Sequence, residues 1–289
     1  MIQNDLPPLF PIASILPPFP RIKIVDVGAM SFGEGTEPYA ALTAALPCDL
    51  YGFEPIEAEL KKLQATAKPG QHFLPYFIGD GSSRTFHECN YPATSSLFEP
   101  NTPLLAKFNN LEELTRVQKS YPVETKRLDD IPQMEGTDLL KVDVQGAELM
   151  VFEGAVNILE TALVLHTEVE FVSMYKDQPL FGDIDVYLRS KGFVLHQLKT
   201  AGRAFKPLLA NNDVNAMLSQ FLWGDAIYVR DFMTFDKLPG PALLKLATIM
   251  HTNYRSVDMA ASALEAYDRQ NKTSLQQTYI AKLMVVAGR

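Results

Sequence analysis

The chain is short of the residues that mark several common protein classes. Only two of its 289 residues are cysteine, Cys48 and Cys89, which lie far apart and outside any CxxC or Cys/His cluster. That excludes a disulfide scaffold and gives zinc no familiar ligand set. Unpaired thiols suit a reducing compartment, so the expected location is cytoplasmic. Basic residues are outnumbered, 26 against 34 acidic, for a net charge of −8. That balance argues against nucleic acid as a partner, because such binding needs a positive footprint. No apolar run approaches the roughly twenty residues of a membrane span. The first twenty residues are apolar but carry six prolines and no positive charge, which is not a signal peptide.

Hydrophobic residues make up 47% of the chain, enough for a globular protein. Its length suits one large α/β domain with an appendage. The stretch that organises it is Ile22–Gly35, IKIVDVGAMSFGEG. Ile22, Ile24, Val25 and Val27 form a short apolar run of the kind found in strands buried on both faces of a parallel sheet. The run closes on Asp26, Gly28, Gly33 and Gly35, where glycine lets backbone approach a ligand. A helix is expected over 36–46, then a strand over 49–53 that ends at Glu54–Pro55. An acid at the second strand's end, 28 residues after Asp26, suits a ribose hydroxyl in a nucleoside-binding half-fold. The glycines do not spell GxGxxG, which removes the mark of a nicotinamide-dependent oxidoreductase.

Further along, a helix is expected over 56–67, a strand over 72–78 and an added hairpin strand over 83–89. A helix from Thr102 carries Leu104, Leu105, Phe108, Leu111 and Leu114 as its stripe, and a short strand spans 122–128. DLLKVDV (138–144) is the next central strand, followed through Gln145–Gly146–Ala147 by a helix over 148–159. Strands are expected over 162–171, 193–198 and 226–230, and a helix over 181–192. Between the last two strands, residues 199–223 should hold a loop and a short helix. Residues 239–288 show three helical stripes, and a short strand–helix alternation over the rest favours a parallel sheet. The expected division is a Pro-rich arm (1–21), a catalytic-type domain (22–230) and a helical extension (231–289). The arm and extension would lie on the domain or in a homodimer interface.

RLDDI (127–131) followed by DLLKVDVQGAELMVFEGA (138–155) resembles the signature of the FkbM family of S-adenosylmethionine-dependent methyltransferases. VDVGA (25–29), GFEP (52–55), IGDG (78–81) and TSSL (94–97) fall in that family's order. The resemblance runs from about residue 22 to 230. It implies a class I methyltransferase fold, Rossmann-like, with seven mostly parallel strands, one antiparallel strand and helices on both faces. It also implies S-adenosyl-L-methionine as cofactor over the strands' C-terminal edge.

In that setting Asp26 and Gly28 would serve the cofactor's methionine end, Glu54 its ribose diol and Asp80 its adenine amino group. Asp143, at the fourth strand's tip, is a candidate for cofactor binding and for catalysis, with Lys141 on the same strand face. A hydroxyl acceptor needs a base as its bond to methyl forms. Glu168 and Glu170 are the leading acceptor-side candidates, and His166 shares their face. Asp143, Glu168 and Glu170 offer oxygens suited to Mg²⁺, but their spacing compels no metal and none is assigned. The expected activity is O-methylation of a hydroxyl on a small-molecule or glycan acceptor, such as a sugar or secondary metabolite. The alternatives are a non-catalytic cofactor-binding module and, behind it, the oxidoreductase.

Overall fold

The apolar runs become the middle of a seven-stranded sheet. The structure, a computed structural model, describes residues 9–30 and 35–286; Gly33 of the glycine loop lies outside them. In chain order the first elements are β1 (Ile22–Val27), α1 (Ala40–Ala45), β2 (Cys48–Phe53), α2 (Glu57–Thr66) and β3 (Gln71–Leu74). Next come β4 (Phe77–Ile78), β5 (Ser83–Cys89), α3 (Thr102–Leu105), α4 (Leu111–Leu114) and β6 (Val117–Lys126). The centre of the chain gives β7 (Leu139–Val142), α5 (Glu148–Glu153), α6 (Val156–Thr161), β8 (Val164–Glu170) and α7 (Phe181–Ser190). Then follow β9 (Phe193–Ala201), β10 (Trp223–Arg230), α8 (Gly240–Thr252), α9 (Val257–Asn271) and α10 (Leu275–Val286).

The large sheet has the order β3-β2-β1-β7-β8-β10-β9. β1 runs parallel to β7 and β7 parallel to β8, whereas β10 is antiparallel to β8. That is the fold class expected of the family: a mostly parallel seven-stranded sheet with one reversed strand. All four residues of β7 are buried, Lys141 among them. The described residues fall into two compact units. One draws on residues 24–30 and 50–229, the other on residues 9–23, 35–49 and 230–286. In the first, α5 and α7 pack on β8 around Val25, Phe53, Leu140, Val142, Phe152, Leu165 and Tyr228. In the second, α8 packs on α9 and α9 on α10, burying Leu243, Leu246, Ile249, Ala263 and Leu264. All three expected tail helices are present.

Several elements differ from the sequence reading. The strand expected over 72–78 is split: β3 joins the large sheet and β4 a second, three-stranded one ordered β4-β6-β5. Pro75, between them, has no N–H to continue a ladder. β5 pairs antiparallel with β6 instead of forming a hairpin after the preceding turn. β6 is longer than expected and contains Pro122. β4 reaches β6 only at Thr125 and Lys126, so Pro122 sits where β6 is an edge and can lack a donor.

The helix from Thr102 is two short ones, parted where Asn110 turns left-handed at φ 64°. The helix expected over 148–159 breaks between α5 and α6, at Gly154–Ala155. A Cβ on Gly154 would stand 2.1 Å from the Gly79 carbonyl oxygen. α1 starts at Ala40, not Thr36, and residues 202–222 hold no helix.

Candidate functional site

Two parallel strands set the first contact. Asp26 on β1 lies in register with Lys141 on β7, and both side chains are buried. A buried ammonium needs oxygens around it, and Lys141 finds three. Its Nζ is 3.0 Å from Asp26 Oδ1 and 3.7 Å from Asp143 Oδ2, and it donates to the Gly28 carbonyl at 2.9 Å. Burial alone would lower its pKa, but the Asp26 and Asp143 carboxylates outweigh that and hold it above the ordinary lysine value. Lys141 stays charged.

Gly28 has φ 81°, and a Cβ there would stand 1.9 Å from the Asp143 carbonyl oxygen. Glycine is required twice over, by the left-handed backbone and by the contact. Gly28 and Ala29 both donate their N–H groups to the Phe53 carbonyl, which ties the end of β1 to the end of β2. Glu54 follows at once. It is 3% exposed, and its Oε1 accepts from the Ile56 N–H at 2.6 Å. Burial raises its pKa to about 7. The Ile56 N–H and the Lys141 charge pull it down, while Glu59 and Asp26 push it up. Asp26, Glu54 and Lys141 thus feel one another across three strands.

The turn after β7 carries the second group. Gln145 stands at φ 57° and Gly146 at φ 97°. The Gln145 carbonyl accepts from Ser96 Oγ at 2.7 Å, and its side-chain Oε1 accepts from the Tyr175 hydroxyl at 3.1 Å. With its orientation held so, the amide Nε2 donates to Asp143 Oδ1 at 3.0 Å and to Glu168 Oε2. Glu148, in the first turn of α5, is fully buried, and its Oε1 accepts from the N–H groups of Val144 and Gly146. One carboxylate oxygen from each of Asp143, Glu148 and Glu168 lies within 4.8 Å of the other two.

Four carboxylates therefore crowd the ends of β7 and β8. Burial raises the pKa of Glu168 well above the carboxylate range, and Asp143, Glu170 and Glu148 add to it. Glu170, 1% exposed, is raised likewise by burial and by Glu148 and Asp143. Glu148 is pushed up to about 7, again chiefly by burial. On the neighbouring β10, Asp225 pairs in register with Glu168 and lies 3.5 Å from His166 Nε2. Burial raises the Asp225 pKa, but His166 more than reverses that. His166 is engaged with Asp225.

Asp26, Gly28 and Asp143 meet around Lys141, Glu54 feels Lys141 and Asp26, and Glu168 and Glu170 join through Asp143. Asp80 stands in the turn between β4 and β5. Its Oδ1 accepts from Ser82 N–H and its Oδ2 from Arg84 at 2.8 Å. Burial raises its pKa, but the Ser82 and Arg84 bonds prevail and bring it to about 2. Asp80 closes its own turn. The sequence reading missed Glu148, which looks like an ordinary first-turn acid, and took Gln145 for a turn residue. Tyr-x-x-x-Lys, an oxidoreductase spacing, does occur once, at Tyr187 and Lys191. There the Tyr187 hydroxyl donates to the Phe152 carbonyl and the Lys191 ammonium lies 5.2 Å from the Tyr187 ring centre. Both residues are engaged on the surface of α7.

Among the described residues, no helix is long and apolar enough to cross a membrane. Residues 26–195 match the family described as the methyltransferase FkbM domain. A curated relative, the 2-O-methyltransferase NoeI of Sinorhizobium fredii, is 27% identical over 172 residues, covering 56% of this chain and 70% of that protein. Among solved structures, magnesium protoporphyrin IX methyltransferase (ChlM) from Synechocystis PCC 6803 with bound SAM aligns at 14% identity and a TM-score of 0.35. It covers 73% of this chain and 71% of the other. A methyltransferase-like structure from Thermoplasma acidophilum aligns at 9% identity and a TM-score of 0.37, covering 73% of this chain and 69% of the other.

Proposed function

This chain belongs to the FkbM family of S-adenosylmethionine-dependent methyltransferases, and from that premise we propose that it methylates a hydroxyl oxygen of a small-molecule or glycan acceptor. When bound, S-adenosylmethionine supplies an electrophilic methyl group on a sulfonium. Asp26, Gly28 and Glu54 would hold the cofactor. The fit rests on the donor set: Glu54 is a buried carboxylate whose Oε1 accepts from Ile56, and a carboxylate has the further acceptor capacity that a ribose diol needs. Asp26 is an acceptor for an ammonium group, beside a carbonyl that only glycine allows so close to β7. Asp80 is left out of this cradle because its own turn occupies it.

The acceptor faces Asp143, Glu168 and Glu170 in this reading. Alcohols barely ionise at neutral pH, so their proton must leave as the oxygen–methyl bond forms. A carboxylate whose proton affinity has been raised by burial suits that role, and Glu168 and Glu170 are both so placed. The observation that carries the proposal is geometric: the Gln145 amide ties Asp143 to Glu168 at the ends of β7 and β8, directly beside the Asp26–Lys141 pair. Oxygen as the methylated atom draws support from the 2-O-methyltransferase relative. A compartment with reduced thiols, such as the cytoplasm, suits the two buried free cysteines.

Calorimetry with S-adenosylhomocysteine, with NAD as control, and labelled methyl transfer across a panel of glycans and hydroxylated metabolites test the reading. Binding of the first ligand alone, with label in an ether-linked methyl, is expected. Label on nitrogen would overturn the hydroxyl assignment, S-adenosylhomocysteine binding without any transfer would favour the non-catalytic alternative, and NAD binding in its place would favour the oxidoreductase.

A further inference from the structure

We propose that Asp143, Glu148 and Glu168 bind one divalent metal ion of the hard, oxygen-loving kind, Mg²⁺ or Mn²⁺, at the acceptor side of the site. The inference rests on the functional reading above and names what holds the acceptor oxygen there. Three features of the fold carry it.

The first is distance. Two oxygens on one ion stand no farther apart than twice the metal–oxygen length, about 4.2 Å for Mg²⁺ and about 5 Å for Ca²⁺. The three carboxylate oxygens lie within 4.8 Å of one another, so small side-chain adjustments bring all three onto one ion.

The second is an oxygen without a partner. Glu148 is fully buried, and although its Oε1 takes two backbone N–H groups, its Oε2 has no hydrogen-bond partner. Glu170, two residues beyond Glu168 on β8, is 1% exposed and has the Gln178 amide beside its carboxylate. Burying an acceptor without a donor is costly. The unpartnered Glu148 oxygen beside an acidic cluster calls for a cation.

The third is preorganisation. The Gln145 amide donates to one oxygen of Asp143 and one of Glu168 and is itself oriented by Tyr175. It therefore aims two of the three carboxylates, as the outer hydrogen bonds of metal sites do. Among the described residues, the one ammonium in an ion pair with the group is Lys141, which is shared with Asp26 and reaches Asp143 at 3.7 Å. An all-oxygen donor set selects Mg²⁺, Mn²⁺ or Ca²⁺ over zinc or copper.

An acceptor hydroxyl bound to such an ion gives up its proton more readily. The proton passes to the Glu170 carboxylate as the oxygen takes the methyl group, with no oxidant or reductant involved. Glu168 then serves as a ligand and Glu170 as the base.

The test uses the full chain, stripped with chelator and loaded with S-adenosylhomocysteine, whose binding is measured first. Mn²⁺ is titrated in and free ion followed by electron paramagnetic resonance, with Mg²⁺ and Ca²⁺ as competitors. One equivalent per chain is expected, displaced by Mg²⁺. Glu148→Gln and Glu168→Gln should each weaken it at least tenfold, while Glu265→Gln, on the exposed face of α9, leaves it unchanged. If Glu148→Gln fails to fold by circular dichroism, Glu168→Gln and Asp143→Asn carry the comparison. No stoichiometric Mn²⁺ uptake, or equal uptake by the variants, overturns the metal site. If S-adenosylhomocysteine itself fails to bind, it is the cofactor reading that falls, and Mn²⁺ uptake is then scored on the unliganded chain.

Discussion

Two buried polar groups, one in each unit, show different ways of enclosing polarity. In the helical unit, His251 on α8 is 2% exposed and both ring nitrogens are used. Nδ1 meets the Tyr279 hydroxyl of α10 at 2.8 Å, and Nε2 meets the Phe10 carbonyl at 2.9 Å. In the sheet unit, Glu148 is as deeply buried yet keeps an oxygen without a partner, among three further carboxylates. The first arrangement is complete as it stands and holds a chain segment in place. The second crowds buried carboxylates whose raised pKa values show the strain, which a proton or a bound cation relieves. Substitutions should therefore act on folding in the first case and on ligands in the second.

The largest expected effect is on turnover. Glu170→Gln should leave S-adenosylhomocysteine affinity near the wild-type value and slow methyl transfer by about 10²–10⁴-fold, the range for a lost general base. A rate within a factor of three of wild type would move the base elsewhere. Next is His251→Leu, which strands the Tyr279 hydroxyl and the Phe10 carbonyl and should cost about 2–4 kcal/mol in denaturant unfolding, with cofactor binding intact. Burial holds the His251 pKa down, the Phe10 carbonyl opposing and Arg255 assisting. The folded state resists a proton that the unfolded chain accepts near 6.5. The wild type should therefore lose stability as pH falls below that value, and the variant should not share the loss.

Glu54→Ala should weaken S-adenosylhomocysteine by about 1–3 kcal/mol through lost charge-assisted ribose bonds. Since Glu54 titrates near 7 in the ligand-free fold and binds the diol as the anion, wild-type affinity should rise with pH up to about 7 and then level off. Calorimetry from pH 5.5 to 8.5 reads this directly, and Glu54→Gln should flatten the profile. A profile that stays sloped in the variant assigns the titration to another group. Smallest is the stability gain from Glu148→Gln in chelator-treated, cofactor-free protein at pH 8. Removing a partnerless buried charge should raise unfolding free energy by about 1 kcal/mol; a loss instead would mean that the carboxylate serves the fold.

Much of this was legible in the residues, and unevenly so. β1, β2, β7 and β8 stand out as apolar runs because strands buried on both faces tolerate little else, and their acidic ends mark the site's edge. That grammar picks out Asp26, Gly28, Glu54 and Asp143 as candidates, and the structure gathers them around Lys141. Pairings between distant segments could not. Nothing local says that β5 and β4 both seek β6, or that Pro75 hands the chain from one sheet to another. Glu148 was hidden for a related reason. An acid two residues after a glycine turn is what any helix start prefers. Only the left-handed turn at Gln145 and Gly146 brings its carboxylate back beneath Val144. At Asp80 the residues left two readings open, since a strand-end acid followed by glycine fits a ligand contact and a self-closing turn equally well, and the structure shows the turn bonds to Ser82 and Arg84.

The reversal of β10 has a bearing on how this protein could change its choice of substrate. A strand that runs against its neighbour begins where the neighbour finishes, so Trp223 sits opposite Glu170. The irregular segment 202–222 is thereby delivered to the carboxylate-bearing rim. It shows Phe205, Leu208, Leu209, Val214, Leu218 and Phe221 to solvent. Connections tolerate exchange far better than the strands they join. Grafting a different segment there would redraw the molecular surface met by an incoming compound, with every proton-handling and cofactor-holding side chain left in its original scaffold.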